Sequence, residues 1–225
     1  MSRGPVIAVD GPAAAGKGTL ARRIAATLGF PYLDTGLLYR AVGRLVLDAG
    51  GDPADPQAAE TAARALVPAD LGRDDLRGPV ADAAAAAVAA IPAVRAALLD
   101  FQRSFATAQG AVLDGRDIGT VIFPDAPVKL YVTASLAERA RRRWQELQAK
   151  GIAAEPATVE AEMLARDTRD APNMRQAPDA VVLDTSSMDA EAVFQRALQV
   201  VRRRLEGTSL ADITLRDTPR NTPPE

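Results

Sequence analysis

The chemistry in this sequence begins at Gly11-Pro-Ala-Ala-Ala-Gly16-Lys17-Gly18-Thr19. Two glycines bracket the run, and a lysine and a hydroxyl follow the second. Glycine reaches backbone angles that a side chain forbids, so successive amide N–H groups can curl around an anion. A helix starting where such a loop ends aims the positive end of its dipole, roughly half a charge, at the same point. Lys17 adds a mobile full charge. Pro12, Ala13, Ala14 and Ala15 are small enough to leave the loop open to a ligand. This is a cradle for phosphate.

Context supports the motif. Val6-Ile-Ala-Val9 ahead of Asp10 is an apolar strand, and Leu20, Ile24, Ala25 and Leu28 mark one face of a following helix. Strand, glycine-hinged loop and helix together are the setting of a P-loop. The general P-loop has Ser or Thr directly after its lysine as a magnesium ligand. Here Gly18 takes that place and Thr19 follows, a Gly-Lys-Gly-Thr order that resembles the nucleoside monophosphate kinases more than GTPases or motor ATPases.

Three further stretches carry charge in patterns suited to a second anion. Asp34-Thr35-Gly36 precedes Tyr39-Arg40, at the start of a helix marked by Leu37, Leu38, Ala41, Leu45 and Val46. Arg40 there either grips an acceptor phosphate beside the Thr35 hydroxyl or is an ordinary solvated helix arginine. Asp114-Gly-Arg116-Asp117 lies on a glycine-flanked loop after a strand, as a binding pair or as a local ion pair of little worth. Asp114 at that strand end can cap the next turn. Arg166-Asp-Thr-Arg169-Asp170 is the third. Lysine occurs only at Lys17, Lys129 and Lys150, so nearly every cation is arginine, the planar fork that grips phosphate at two points.

Elements must bring these stretches together. Gly29–Leu33, Ala111–Leu113, Val128–Val132 and Ala180–Leu183 are short β-rich runs that join Val6–Val9. Helical segments alternate with them: Gln57–Leu66, Val80–Ala90, Ala93–Phe105, Leu136–Lys150, Thr158–Arg166 and Ala190–Leu205. Five strands alternating with helices predict an α/β domain with a parallel sheet covered on both faces. Ligands of such sheets collect beyond the carboxyl ends of the strands, where Asp10–Thr19, Asp34–Arg40 and Asp114–Asp117 all fall.

Composition excludes a good deal. Cysteine and histidine are both absent, which removes disulfides, thiolate chemistry, Ser-His-Asp triads and histidine bases. A net charge of −2 gives no global attraction to nucleic acid. No signal segment is read at Met1–Gly11 and no membrane span elsewhere, so the expectation is a cytoplasmic monomer without nucleic-acid or membrane partners. Residues 1–206 read as one domain and 207–225 as a disordered tail.

Taken in order, Asp10–Thr19, Leu33–Gly36 with Tyr39-Arg40, Asp114-Gly-Arg-Asp-Ile-Gly-Thr120 running into Phe123-Pro-Asp-Ala126, and Arg166–Asp170 resemble the bacterial cytidylate kinases across nearly the whole chain. The Asp-Gly-Arg-Asp-x-Gly-Thr run is the most specific, since adenylate and thymidylate kinases share a similar P-loop but not that run. The resemblance implies a three-layer P-loop NTPase fold with a helical acceptor-binding region at about 40–95 and a short lid at about 151–176. It implies transfer of the γ-phosphoryl group of ATP to CMP or dCMP, with Mg²⁺. Lys17, Arg116, Arg166 and Arg169 would then act on the transferring group. Gly11–Thr19 and Arg142 would hold ATP, with Arg139 and Arg143 solvated on the same helix. Thr35, Arg40, Arg95, Arg116, Asp117 and Asp170 would hold the acceptor: Arg40 and Arg116 its phosphate, Arg95 and Asp117 its base, Asp170 its ribose. Asp114 would hold magnesium through water.

The sequence also departs from that pattern. Leu66–Gly78 is too short for the three-stranded insert usual in the family, so the acceptor region reads as trimmed. Asn173 stands where a lid arginine is expected, with Arg175 nearby, and Ala86 stands where a serine meets the cytosine amino group. The rival within enzymes is a P-loop kinase for another small acceptor such as UMP. A GTP switch would carry Asn-Lys-x-Asp, which the three lysine positions exclude.

Overall fold

A computed structural model of the chain describes residues 4–206. Its frame is a five-stranded, all-parallel sheet in the order β2-β3-β1-β4-β5. The strands are β1 (Val6–Asp10), β2 (Tyr32–Asp34), β3 (Ala111–Gly115), β4 (Val128–Thr133) and β5 (Val181–Asp184). The helices are α1 (Lys17–Leu28), α2 (Thr35–Asp48), α3 (Pro56–Ala65), α4 (Pro79–Ala89), α5 (Pro92–Phe105), α6 (Leu136–Ala149), α7 (Pro156–Asp170) and α8 (Ala190–Glu206).

Alternation along the central strand builds two cores. Ile7 and Val9 point into one with Leu20 and Ile24 of α1 and Phe194 and Val201 of α8. Val6 and Ala8 face the other, with Leu38 and Val42 of α2, Val88 of α4 and Leu98 of α5. Each such fully buried aliphatic side chain contributes about 1.5–3 kcal/mol relative to exposure, so the two layers clamp the sheet from both sides. That fixes where the strand ends, and hence the loops, lie.

Helix boundaries follow chemistry that periodicity does not display. Pro56, Pro79, Pro92 and Pro156 each occupy the first turn of their helix. The missing N–H of proline is an orphan there in any case and its φ already suits the helix, so these helices start on the proline. α2 begins at Thr35 because the Asp34 carboxylate accepts from the Gly36 N–H at 3.0 Å and caps it. Arg40 therefore stands in the second turn, not the first as expected. α7 runs to Asp170, beyond the expected stop at Arg166, so Arg166, Arg169 and Asp170 all ride on helix.

Between α3 and α4 the chain makes a short 3₁₀ turn at Pro68–Gly72 and no strand among the described residues. No single helix among the described residues is long and apolar enough to cross a membrane. The tail at 207–225 lies outside the described residues.

Candidate active site

All five strands end on one side of the sheet, and β1 has β3 on one flank and β4 on the other. The chain leaves β1 toward β2 and β3 and later crosses to β4, so the carboxyl end of β1 is where the sheet's direction of winding reverses. The loop Asp10–Gly16 sits at that point.

The loop is held from outside. Gly11 has φ 143°, and a Cβ on it would lie 1.9 Å from the Val132 carbonyl oxygen, so only glycine passes between the strands there. Ala14 and Gly16 also have positive φ, 58° and 90°. The Lys17 Nζ donates to the Pro12 carbonyl at 2.9 Å. The Thr185 hydroxyl donates to the Ala15 carbonyl at 3.2 Å, and Arg139 donates to the Ala13 carbonyl at 3.4 Å. With those carbonyls taken, the first turn of α1 has neither a side-chain cap nor an acidic residue. Its orphan N–H groups and dipole are left for an anion.

Three carboxylates close the strand ends. Asp10 accepts from the Ile118 and Gly119 N–H groups, both at 2.8 Å, and so ties the end of β1 to the single π-helical turn at Ile118–Ile122. Burial pushes its carboxyl up to about 6 despite those bonds. Asp34 and Asp114 are register partners across β2 and β3. Burial and the Asp34 charge push Asp114 up to about 6 as well. The Tyr32 hydroxyl donates to Asp114 Oδ1 at 2.7 Å, and no donor among the described residues reaches Oδ2. That free oxygen lies 3.5 Å from the point where a Gly18 side chain would begin, against the phosphate loop. Mg²⁺ takes one or two carboxylates, keeps several waters and draws other ligands from phosphates. Asp114 suits that demand, and no cluster of three or more acidic residues among the described residues suggests an all-protein metal cage.

Across the cleft, arginines gather. Arg116 pairs with Asp170 at 2.9 Å, and Arg166 approaches the same carboxylate at 3.9 Å. Arg40 pairs with Asp82 at 3.0 Å, Arg143 reaches Asp82 at 3.5 Å, and Arg95 pairs with Asp117 beneath the Tyr39 ring. Burial, then the charges of Arg116 and Arg166, push the Lys17 ammonium down to about 7. Burial and Arg116 also lower Arg166. Cations that depress one another in a cleft mark a place built for anionic ligands.

A sequence profile for the family described as Cytidylate kinase matches residues 7–203. The chain belongs to the cytidylate kinase family. A cytidylate kinase from Granulibacter bethesdensis is 64% identical over 203 residues, 88% of this chain and 97% of that protein. One from Acidiphilium cryptum is 62% identical over 209 residues, covering 91% and 99% respectively. A gluconokinase structure from Sinorhizobium meliloti aligns with TM-score 0.52 at 13% identity over 93% of this chain and 98% of that one, a likeness of fold alone.

As a cytidylate kinase, the chain brings Lys17, Arg40, Arg95, Arg116, Asp117, Arg166, Asp170 and Asp114 to one end of the sheet, while Arg169 is exposed without a polar partner among the described residues. Several side chains are engaged in ways the sequence did not suggest. The Thr35 hydroxyl is buried and donates to the Asp114 carbonyl at 2.8 Å. Arg142 binds Thr185 through both terminal nitrogens, at 2.9 and 2.7 Å, next to the loop that Thr185 holds. Asp170 holds Arg116.

Arg139 and Arg143 correct the expectation of solvated side chains. Arg139 is only 5% exposed. It makes two bonds to Asp167 of α7, at 3.0 and 2.6 Å, besides its bond to the Ala13 carbonyl. The reason is packing: α7 lies along α6 and turns Asp167 inward at Arg139. Arg143 is half-buried and reaches Asp82 of α4 as well as Glu146. Sequence reasoning passed over Asp10, Tyr32, Asp82 and Thr185. Asp82 had a legible signal, being the one charged residue in the alanine-rich Pro79–Ala89 segment.

Proposed function

We propose that the chain transfers the γ-phosphoryl group of ATP to CMP or dCMP, giving ADP and CDP or dCDP. The observation that carries this is the crowding of Lys17, Arg116 and Arg166 around the open N-terminus of α1, two of them pushed below their ordinary values by burial and by one another. Phosphoryl transfer needs two anions brought into line and their charge neutralised, with little covalent help.

In this reading the Gly11–Thr19 loop holds the ATP phosphates, and Arg142 approaches the donor side through Thr185. Lys17 leaves the Pro12 carbonyl for the transferring group, and the arriving negative charge restores its proton affinity. Arg116, Arg166 and Arg169 gather around the same group. Arg40 holds the acceptor phosphate beside the Thr35 turn. Arg95 donates to the cytosine ring nitrogen or carbonyl, and Asp117 accepts from its amino group. Asp170, released from Arg116 when phosphate arrives, turns to the ribose. Asp114 would hold Mg²⁺ through water, and the ion would supply charge neutralisation for the donor phosphates. Closure of α7 excludes water, which would otherwise take the phosphoryl group.

We take the protein to be a monomer with one kinase domain at 1–206, in which the region at about 40–95 holds the acceptor and the stretch at about 151–176 is the lid. We place its work in the cytoplasm among free nucleotides. A coupled ADP-release assay across the nucleoside monophosphates tests the reading. CMP and dCMP are expected to be the fastest acceptors; UMP phosphorylated as well as CMP would overturn the cytidylate assignment.

A further inference from the structure

Asp82 is the single charge on α4, a helix otherwise of alanine, valine and proline. Its carboxylate faces inward, with the side chain 24% exposed. Three cations from three other helices surround it: Arg40 of α2 at 3.0 Å, Arg143 of α6 at 3.5 Å, and Arg166 of α7, whose guanidinium feels the Asp82 charge.

The bond to Arg40 is specific in its geometry. It is made by Nε alone, and neither NH1 nor NH2 of Arg40 donates a hydrogen bond among the described residues. NH1 lies 3.5 Å from the point where a Gly36 side chain would begin, over the first turn of α2. A guanidinium gripped at Nε cannot rotate freely, and its two terminal nitrogens stay free on the opposite edge. That edge is a planar fork suited to two phosphate oxygens.

A simple tether between helices does not require this pair. α2 and α4 already meet backbone to side chain, since a Cβ on Gly43 would lie 2.7 Å from the Ala84 Cβ. An ion pair that keeps 20% and 24% of its two side chains exposed stays in reach of solvent screening, so it adds about 0–1 kcal/mol to such an interface.

We propose that Asp82 is a positioning residue for acceptor binding, fixing the Arg40 guanidinium by Nε so that its NH1 and NH2 edge meets the acceptor phosphate. The proposal rests on the role given to Arg40 above. Carboxylate and phosphate occupy different N–H groups of one arginine, so acceptor binding leaves the Asp82 bond in place.

Asp82→Ala should raise KM for CMP about three- to tenfold, the scale of one lost orienting hydrogen bond, with KM for ATP and the melting temperature unmoved. Asp82→Asn keeps a side-chain oxygen for the Nε–H and should return KM for CMP to within about twofold of the original. In an Arg40→Ala background, Asp82→Ala should add no further rise. Unchanged or lowered KM for CMP in Asp82→Ala, or an equal rise in both backgrounds, overturns the proposal. An Arg40→Ala enzyme with unaltered KM for CMP would instead remove the acceptor role of Arg40 itself, a separate failure.

Discussion

The two halves of the cleft, which we assign to donor and acceptor, are built from different bonds. On the donor side the P-loop carbonyls of Pro12, Ala13 and Ala15 are fixed by Lys17, Arg139 and Thr185, and Gly11 is wedged against Val132. On the acceptor side Arg95 and Arg116 hold carboxylates of the chain itself, and their side chains are 22% and 21% exposed. The first arrangement holds the loop in shape through side-chain donors on its carbonyls and the wedged Gly11. The second rests on ion pairs between side chains: Arg116–Asp170, with 21% and 29% of the two side chains exposed, is open to exchange with an arriving phosphate, while Asp117 beside Arg95 is buried. Rigidity on one side and exchangeable charge on the other suit an enzyme that seats a polyphosphate and then adapts to a smaller acceptor.

The comparison can be broken most sharply at Lys17. Lys17→Ala should lower kcat by about 10²–10³ while leaving CMP binding close to normal, because the side chain belongs to the donor half and to the charge that develops in transfer. Steady-state kinetics with CMP titration reads both, and a kcat above about a third of the original would dismiss that role.

Next comes Asp167→Ala, which strands the Arg139 guanidinium in a site that is almost closed to water. Breaking such a pair costs about 3–5 kcal/mol, a fall of roughly 6–20 °C in melting temperature for a chain of this size. Calorimetry measures it. A drop of about 1 °C or less would mean that the donor half owes little to this pair.

Hydrogen exchange sharpens the contrast between halves. The last turn of α7, around Arg166–Asp170, should gain protection when both nucleotides or a bisubstrate analogue bind, since its ion pairs are rearranged. The amides of β1, central in the sheet, should change little. Equal protection of the α7 turn with and without ligands would count against its closing over the site.

The smallest effect is expected at Ala86, one helical turn beyond Asp82 on the same face of α4 and exposed toward solvent. Where the cytidylate kinase pattern has serine, alanine has no side-chain acceptor to offer the cytosine amino group in the proposed pose. Ala86→Ser should raise the kcat/KM ratio of CMP over UMP by a factor of about 2–13, one neutral hydrogen bond. An unchanged ratio, together with its collapse in Asp117→Ala, would leave base reading to Asp117 alone.

What the sequence displayed and what it hid divide along the same physical line. The P-loop was legible because its parts are covalent neighbours, and its glycines answer to local backbone demands at Gly11 and Gly16. The parallel sheet was legible from apolar runs alternating with helices, and strand boundaries shifted by at most three residues, the most at the start of β2. Burial of Arg139 was not legible, because it depends on α7 bringing Asp167 alongside α6, a contact across 28 residues. Thr35 looked like a free hydroxyl for the same reason: its partner, the Asp114 carbonyl, lies 79 residues away. A charged residue's spacing reveals its neighbours on its own helix, but not the carboxylate that another element delivers.

The shared attachment of Arg139 has a consequence for how the two nucleotides communicate. One guanidinium touches both the Ala13 carbonyl of the donor loop and the Asp167 carboxylate of α7. Any shift of the loop that lengthens one of these contacts changes the strength of the other. By thermodynamic reciprocity, whatever free energy an occupied loop lends to one position of α7 is returned by that position to the hold on the loop's ligand. A single side chain thereby couples the seating of the loop to the position of α7.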